Sequence, residues 1–201
     1  MFFKKGDNRT PPGQENRVPP GQYVTEKFPV LHYGNVPRYE TLDDWDLRVW
    51  GEIAEPATFT HAQLRALPTV EVTMDIHCVT RWSKLDTCWE GVRFRDFLQH
   101  IPALKPSAQF LLAHAEQGFT ANIPLELMLE DDALLAYRYD GRELDPEHGY
   151  PLRLVVPQKY FWKSAKWLRG IEFLAEDTPG FWERYGYNNN ADPWREERYA
   201  D

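Results

Sequence analysis

The stretch "MDIHCVTRWSKLDTCWEGVRF", residues 74–94, holds both cysteines of the chain. Its first residues complete a longer segment, 70–79, in which apolar and polar side chains alternate. Such alternation is typical of a strand with one face buried. The sequence therefore predicts a strand that ends near Cys78. Its predicted buried face is formed by Val70, Val72, Met74, Ile76 and Cys78.

A cysteine at a strand end can be a buried inert thiol, half of a disulfide, a nucleophile or a metal ligand. A nucleophile pair between Cys78 and His77 is poor geometry, because consecutive strand residues point to opposite faces. The chain has no CxxC or HxxxH spacing, which disfavours a protein zinc site. A structural disulfide with Cys88 is not expected in a reducing compartment. On these residues alone, the buried inert thiol is the favoured interpretation.

The rest of the body alternates short strands with short helices. Asp140 and Gly141 predict a turn between two strands, and Gly170 predicts a bulge. Many short strands with few helices predict the α+β class, with a mixed sheet. Strands are predicted over 46–53, 109–115, 152–156 and 166–175, and helices over 92–101 and 124–130.

Both ends of the chain have a distinct composition. Residues 1–27 contain the tetrapeptide "PPGQ" twice, which predicts an extended Pro-rich arm. We expect this arm either to be flexible or to lie across the surface of a single domain formed by residues 28–201. The polar C-terminal segment is expected to pack on that domain, because disordered tails rarely hold so many rings. Its rings are Trp182, Tyr185, Tyr187 and Trp194.

Composition excludes several classes of function. The formal net charge of the 201-residue chain is −8, which argues against nucleic acid as a partner. No apolar run is long enough for a membrane span, and the first residues lack an export signal, so a cytoplasmic protein is expected. The content of Trp 8, Tyr 10 and Phe 11 is typical of a pocket for a flat ligand.

Three further motifs carry a resemblance to a known family. They are "CWEGVRFRDFL" at 88–98, "HGYPLRLVVPQKYFWKSAKWLRGIEF" at 148–173 and "YGYNNNADPW" at 185–194. In this order they resemble the sulfite oxidase-like family of molybdopterin-dependent oxidoreductases. The third is similar to the tail of the catalytic subunit of the periplasmic methionine-sulfoxide reductase in that family. The resemblance implies a mixed-sheet, barrel-like molybdopterin-binding domain over residues 28–201.

The resemblance also implies a Mo-molybdopterin cofactor and the residues that bind it. Cys78 would ligate molybdenum as a soft thiolate, beside two dithiolene sulfurs of the pterin. His32 and Tyr33 stand where the family has a pterin-contacting stretch, and His114 where it has a strand near the metal. Cys88 is expected to be a buried structural thiol. The phosphate side of the pterin would be bound by His148, Arg153, Ser164, Ala165 and Lys166.

The implied activity is two-electron oxygen-atom transfer between a small molecule and the metal. Sulfite oxidases carry an arginine five residues after the cysteine and a tyrosine near the end of the domain, where this chain has Ser83 and Pro179. Arg81 could replace that arginine as a catalytic residue. These departures favour reduction of an S-oxide or N-oxide, with sulfite-type oxidation as the alternative. A non-catalytic binding module with the same fold, or a cysteine hydrolase, are alternatives of other classes.

Electrons must be exchanged with another molecule. The chain has no CxxCH haem motif and no cysteine set for an iron–sulfur cluster. A separate redox protein is therefore the expected electron carrier. A monomer is expected, because the dimerisation domain that follows the core in sulfite oxidases has no counterpart in this sequence.

Overall fold

The computed structural model describes residues 13–200 and has the predicted α+β fold. Within that range, eleven strands form two mixed sheets, and helices are short. The sheets are separate and do not form a closed barrel. The α-helices are α1 (His61–Arg65), α2 (Phe94–Phe97) and α3 (Leu125–Met128), and several single 3₁₀ turns join the strands.

The first sheet consists of β1 (Tyr23–Val24), β4 (Val70–His77), β5 (Trp82–Arg93), β8 (Leu134–Tyr139), β9 (Arg142–Glu143) and β10 (Arg153–Val155). The long strand β5 lies at its centre and pairs with β1, β4 and β8. β8 pairs in turn with β9 and β10. The β1–β5 pair is parallel and the other pairs are antiparallel.

The second sheet consists of β2 (Asp46–Gly51), β3 (Ala57–Thr60), β6 (Phe110–Ala115), β7 (Thr120–Pro124) and β11 (Leu168–Leu174). Its strand order is β3-β2-β11-β6-β7. β11 pairs with β2 in parallel and with β6 antiparallel. The predicted bulge is confirmed, because the register of β11 against β6 shifts between Leu168 and Gly170.

The first sheet is buried on both faces, which gives the protein two apolar clusters. Leu135 and Tyr137 of β8 belong to the larger cluster, which also contains side chains of the second sheet. Leu134 and Ala136 point the other way, into a smaller cluster that includes Cys78. This split follows from the alternation of side chains along a strand. The smaller cluster packs around the end of β4, at Ile76 and Cys78.

Predicted elements are confirmed in place but differ in length. The amphipathic helix expected over 92–101 is one α-helical turn followed by a 3₁₀ turn at Leu98–His100. Pro102 explains its end, since the residue before a proline is disfavoured in the helical region. The turn at Asp140 and Gly141 joins β8 to β9 as predicted. The expectation that Cys88 is a buried thiol is wrong, because its side chain on β5 is only half-buried.

Residues 13–27 of the arm lie along the body. Arg17 forms a bidentate ion pair with Asp75 at 2.6 and 2.8 Å, and β1 extends the first sheet. These contacts lay residues 13–27 across the surface of the domain in this structure. Residues 1–12, which include part of the first "PPGQ", lie outside the described residues.

The C-terminal segment packs on the body, as predicted. Ala191, Pro193 and Arg198 are buried there, whereas the rings of Tyr185 and Trp194 remain exposed.

Between residues 13 and 200, no helix has the length and apolar character that crossing a membrane requires.

Gly91 is expected to be essential for the contact between β5 and β8. A Cβ added there would lie 2.2 Å from the Leu135 carbonyl oxygen, so one of the two strands would have to move. We expect Gly91→Ala to lower the free energy of unfolding by about 3 kcal/mol, as overpacking does in a tight core. Urea denaturation measures this loss.

Gly186→Ala is the control for Gly91→Ala. Gly186 has a φ of +89° but nothing within 4 Å of its added Cβ, so only backbone strain of about 1 kcal/mol is expected. Equal losses in the two variants would contradict the close approach of the strands.

Candidate functional site

The candidate site is built around the tight turn that joins β4 to β5. The Cys78 amide donates to the Trp82 carbonyl at 2.8 Å, and the Arg81 amide donates to the Cys78 carbonyl at 3.0 Å. Arg81 takes a φ of +78°, which closes the turn. We call residues 78–82 the Cys78 turn. It presents the Cys78 side chain to a cavity at the end of the strand, as the alternation of β4 predicts.

The thiol of Cys78 lies in a shielded position. The residue is 8% exposed, and the Thr80 hydroxyl donates to its sulfur at 3.2 Å. Burial raises the pKa of the Cys78 thiol, although the hydrogen bond from Thr80 opposes this rise. A thiol in such a place is a poor free nucleophile, and a metal cation would favour its thiolate.

His77 does not form a catalytic pair with Cys78. Its Nδ1 lies 2.8 Å from the Ser83 hydroxyl, and its side chain is not part of the cavity lining. Burial lowers the pKa of His77 to about 4. A neutral histidine on the opposite face of the strand disfavours the cysteine hydrolase alternative. The polar face of β4 is thus buried at its end, which alternation alone did not predict.

The cavity has a volume of about 260 Å³ and four walls. One wall is the segment 28–33, which follows the arm, and another is the Cys78 turn. The third comprises Arg153 of β10 and residues 164–167 before β11. The fourth comes from the C-terminal segment through Trp182 and Tyr187. Distant parts of the chain therefore meet around one thiol.

Arg153 is the dominant charge of the third wall. It is 1% exposed, and its guanidinium donates to the carbonyls of His148 at 2.7 Å and Ser164 at 3.0 Å. The guanidinium also lies 4.4 Å from the centre of the Phe161 ring. Within residues 13–200, no carboxylate pairs with it. Burial lowers the pKa of Arg153 to about 9, so this cation would gain free energy from an anionic ligand.

Lys166 and His148 stand on the same wall. The Lys166 ammonium donates to the carbonyls of Leu31 at 2.7 Å and Glu147 at 2.8 Å. Burial, and then the charge of Arg153, lower the pKa of Lys166 to about 7. The same causes, with Lys166 added, lower the pKa of His148 to about 4. The wall therefore has a surplus of positive potential.

Ser164 and Ala165 line the cavity and also organise this wall. The Ser164 hydroxyl accepts the Val156 amide at 2.9 Å, while its carbonyl accepts Arg153. The Ala165 carbonyl accepts the Leu154 amide at 2.8 Å. Both residues thus hold β10, and Arg153 with it, in place. Their predicted contact with a phosphate stays a prediction.

His32 and Tyr33 lie at the mouth of the cavity. Both are exposed, and the Tyr33 ring packs on Phe181 with centroids 4.3 Å apart. His32 meets the ring of Trp167 edge-on at 5.6 Å. The structure therefore brings both predicted residues to the cavity, at its rim.

The structure does not bring His114 or Arg81 into the cavity. His114 lies on β6 of the second sheet, where its Nε2 is 2.8 Å from a Glu172 carboxylate oxygen. Arg81 belongs to the Cys78 turn, but its side chain is exposed and donates to the Gly21 carbonyl at 3.4 Å. The prediction of His114 came from the family resemblance, and that of Arg81 from its position three residues after Cys78. In this structure His114 lies on the second sheet, and the side chain of Arg81 leaves the cavity.

Several lining residues were missed. Phe28 stacks on His148 with ring centroids 3.9 Å apart and an interplanar angle of 7°. Trp82, Trp182 and Tyr187 supply further aromatic walls. The high aromatic content of the chain was the available signal, but it does not say which rings meet.

Within residues 13–200, Cys78 belongs to no set of protein side chains that could hold a metal ion by itself. Between residues 13 and 200, no group of three or more His, Cys, Asp or Glu side chains could hold a metal ion. A metal at Cys78 would therefore have to bring most of its ligands with it, as a metal in an organic cofactor does. The site thus offers one soft sulfur ligand and a cationic wall.

Known proteins are similar to this chain over most of its length. Residues 33–182 match the family of oxidoreductase molybdopterin-binding domains. The chain is 50% identical over 205 residues to YuiH of Bacillus subtilis (strain 168), an uncharacterized oxidoreductase, covering 100% of this chain and 99% of that protein. It is 28% identical to YedZ1 of Azospira oryzae, provisionally named a protein-methionine-sulfoxide reductase subunit, covering 88% of this chain and 68% of that protein.

This chain spans about half of the length of two further relatives. Sulfite oxidase of Arabidopsis thaliana is 29% identical over 82% of this chain, which spans 51% of the plant enzyme. The crystal structure of sulfane dehydrogenase SoxCD from Paracoccus pantotrophus shares the fold, with a TM-score of 0.66 and 23% identity over 77% of this chain and 43% of that one. Because the family match extends over most of the chain and encloses the Cys78 turn, the protein belongs to the oxidoreductase molybdopterin-binding domain family, of the sulfite oxidase type.

Proposed function

We propose that the protein is a molybdopterin-dependent oxidoreductase that reduces an S-oxide or N-oxide, with Cys78 as the protein ligand of molybdenum. One observation carries this proposal. The buried Arg153, which has no carboxylate partner among residues 13–200, lines the same cavity as the buried thiol of Cys78. An anionic group and a soft metal are the ligands that this pair of side chains suits.

The residues present fit the cofactor. A pterin phosphate would complete the hydrogen-bonding capacity of Arg153, whose present acceptors are neutral carbonyls. Lys166 and His148 would add to the same anion site, and its negative charge would raise the pKa of both groups. The pterin ring is flat, and aromatic side chains such as Phe28 and Trp82 line the cavity.

In this mechanism the cofactor supplies two-electron oxygen-atom transfer, and the protein positions and shields it. The Cys78 turn orients the sulfur, and the Thr80 hydroxyl donates to it. Arg153 and Lys166 would hold the phosphate end of the cofactor. The rings of Trp182 and Tyr187, which line the same cavity, would exclude water from it.

The distribution of charge favours a neutral substrate. Arg153 and Lys166 lie on the wall assigned to the cofactor. Near Cys78 in sequence, Arg81 turns to the arm, and the Lys84 ammonium donates to the Glu26 carbonyl at 3.0 Å. A sulfite anion would need a cation at the open side of the metal. Sulfite-type oxidation therefore remains the second candidate, supported by the likeness to the plant enzyme rather than by this geometry.

We also propose that a separate redox protein carries the electrons, and that the protein acts as a cytoplasmic monomer.

A non-catalytic module with the same fold is the competing class of function. Elemental analysis of protein made in a host supplied with molybdate separates them. About one molybdenum per chain is expected for a site with one thiolate ligand, and its absence would contradict the proposal.

Cys78→Ser is expected to abolish oxygen-atom transfer while preserving the fold. The hydroxyl is nearly isosteric with the thiol but is a poor ligand for a soft metal. Cys88→Ser is the control, because Cys88 lies on β5 outside the cavity. Activity with reduced viologen and the sulfur-to-metal absorption are measured in both variants. Full activity in Cys78→Ser would rule out the molybdenum ligand.

Lys166→Met is expected to weaken cofactor retention without destabilising the metal-free protein. The loss of a charged hydrogen bond to phosphate is worth about 2 kcal/mol, or about thirtyfold in retention. Burial lowers the pKa of Lys166 from 10.5 to about 7, so the charged form is disfavoured in the fold. This penalty is complete below pH 7 and fades as the pH rises towards 10.5, so removal of the group relieves it fully at pH 6.

The measurements for Lys166→Met are molybdenum content after dialysis and the thermal midpoint of the metal-free protein at pH 6. Arg195→Ala is the control, since the Arg195 side chain is 71% exposed and lies in the C-terminal segment. Unchanged molybdenum content in Lys166→Met would contradict the assignment of this wall to the phosphate.

The wild-type protein is expected to reduce dimethyl sulfoxide, methionine sulfoxide or trimethylamine N-oxide with reduced viologen faster than it oxidises sulfite. Trp182→Ala should raise KM for the oxide, because it opens an aromatic wall of the cavity. Arg81→Met should leave KM unchanged, since its side chain lies outside the lining. Robust sulfite oxidation that Arg81→Met weakens through KM would favour the second candidate instead.

A further inference from the structure

Both terminal segments of the chain contact the main chain of the Cys78 turn. From the arm, the Gln22 side-chain amide donates to the Cys78 carbonyl at 3.0 Å. From the C-terminal segment, Nη1 of Arg198 donates to the Val79 carbonyl at 2.6 Å. Both side chains are buried, with exposures of 8% and 6%. Two consecutive carbonyls of the turn are therefore held by residues that are far apart in sequence.

Burial of Arg198 in this position is unfavourable in free energy. Its guanidinium lies 4.9 Å from the Tyr160 ring centre, and its closest acidic partner is Glu196 at 3.6 Å, whose side chain is 45% exposed. Within the described chain, Nε and Nη2 make no hydrogen bond. A buried cation with incomplete partners costs free energy. A residue that only filled space would avoid this cost.

Anchoring the C-terminal segment does not explain Arg198. That segment is already held by a buried ion pair between Lys163 and Glu183 at 2.6 Å. The Gly180 amide also donates to the side-chain oxygen of Asn122 at 3.2 Å. The Tyr160 amide also donates to the Ala191 carbonyl at 2.8 Å. What Arg198 adds to these contacts is its hydrogen bond to the carbonyl of Val79, the residue after Cys78.

We propose that Arg198 is a positioning residue for Cys78. With Gln22, it fixes the orientation of the two peptide groups that follow the thiol, so that the turn keeps one conformation and aims the sulfur at the cavity. A ligand residue must be held by its surroundings to keep a productive geometry. The assignment of the thiol to a metal rests on the proposed function, but the rigidity of the turn does not.

The first test uses the metal-free protein. Amide hydrogen exchange is measured at Cys78 and Arg81, whose amides make the hydrogen bonds of the turn. In Arg198→Met these two amides should exchange about tenfold faster, the effect of losing one charged hydrogen bond. Arg198→Lys, which keeps a cation and a donor, should lie between this variant and the wild type. Arg195→Met, in the same segment but exposed, should exchange as the wild type does.

The second test uses protein loaded with molybdenum. The Mo(V) electron paramagnetic resonance spectrum reports the geometry of the sulfur at the metal. We expect shifted g values and a lower kcat with unchanged KM in Arg198→Met, and an intermediate spectrum in Arg198→Lys. A residue that served only stability would change the amount of folded enzyme but not the spectrum.

Two results would overturn the proposal. One is unchanged exchange at Cys78 and Arg81 in Arg198→Met, or in Arg198→Lys if the methionine variant does not fold. The other is exchange that rises equally at all amides, which would mean global destabilisation. Failure of the proposed function is a separate result: no molybdenum would be found in wild type, while the metal-free test would still decide the role of Arg198.

Discussion

The guanidinium of Arg153 lies in the interior of the protein with only main-chain carbonyls and rings as partners. The charge of Arg153 constrains the structure around it. Ser164 and Ala165 must hold β10 so that the carbonyls face the cation, and Phe28 must stack on His148 to cover the same wall. A fold selected for stability alone would place a carboxylate or an apolar side chain there. The charge of Arg153, unpaired within residues 13–200, is what supports the proposal that the cavity binds an anionic group.

Much of this arrangement could be predicted from the sequence, for two different reasons. Alternation along 70–79 is a local property, and it placed Cys78 at a strand end on the buried side. Resemblance to a family identified Arg153 and Lys166, which no local pattern distinguishes from surface charges. His114 and Arg81 were misplaced because the sequence does not give the sheet to which a strand belongs, or the direction in which a turn residue points. The length of α2 was overestimated for a local reason, the proline that follows it.

The aromatic walls show the limit of the sequence most clearly. Tyr33 lies about 150 positions before Trp182 and Tyr187 in the sequence, yet all three rings line one cavity. Composition predicted a pocket for a flat ligand, but only the sheet pairing of β1 with β5 and the packing of the C-terminal segment bring these rings together. The result is an opening lined by aromatic rings beside a wall that carries Arg153 and Lys166. The proposal of a neutral substrate is supported by Ser83 and Pro179 at the family positions and by the Arg81 side chain, which lies outside the lining.

The meeting of both terminal segments at the Cys78 turn affects how such a protein is made. Trp182, Tyr187 and Arg198 are synthesised well after β4 and β5, because they follow these strands in the sequence. The hairpin that carries Cys78 can form early, but its cavity stays incomplete until residues 182–198 have been added. A cofactor of the kind proposed would therefore be retained only after residues 182–198 have been added. Nascent chains that stall before this segment would expose the cysteine without its aromatic walls.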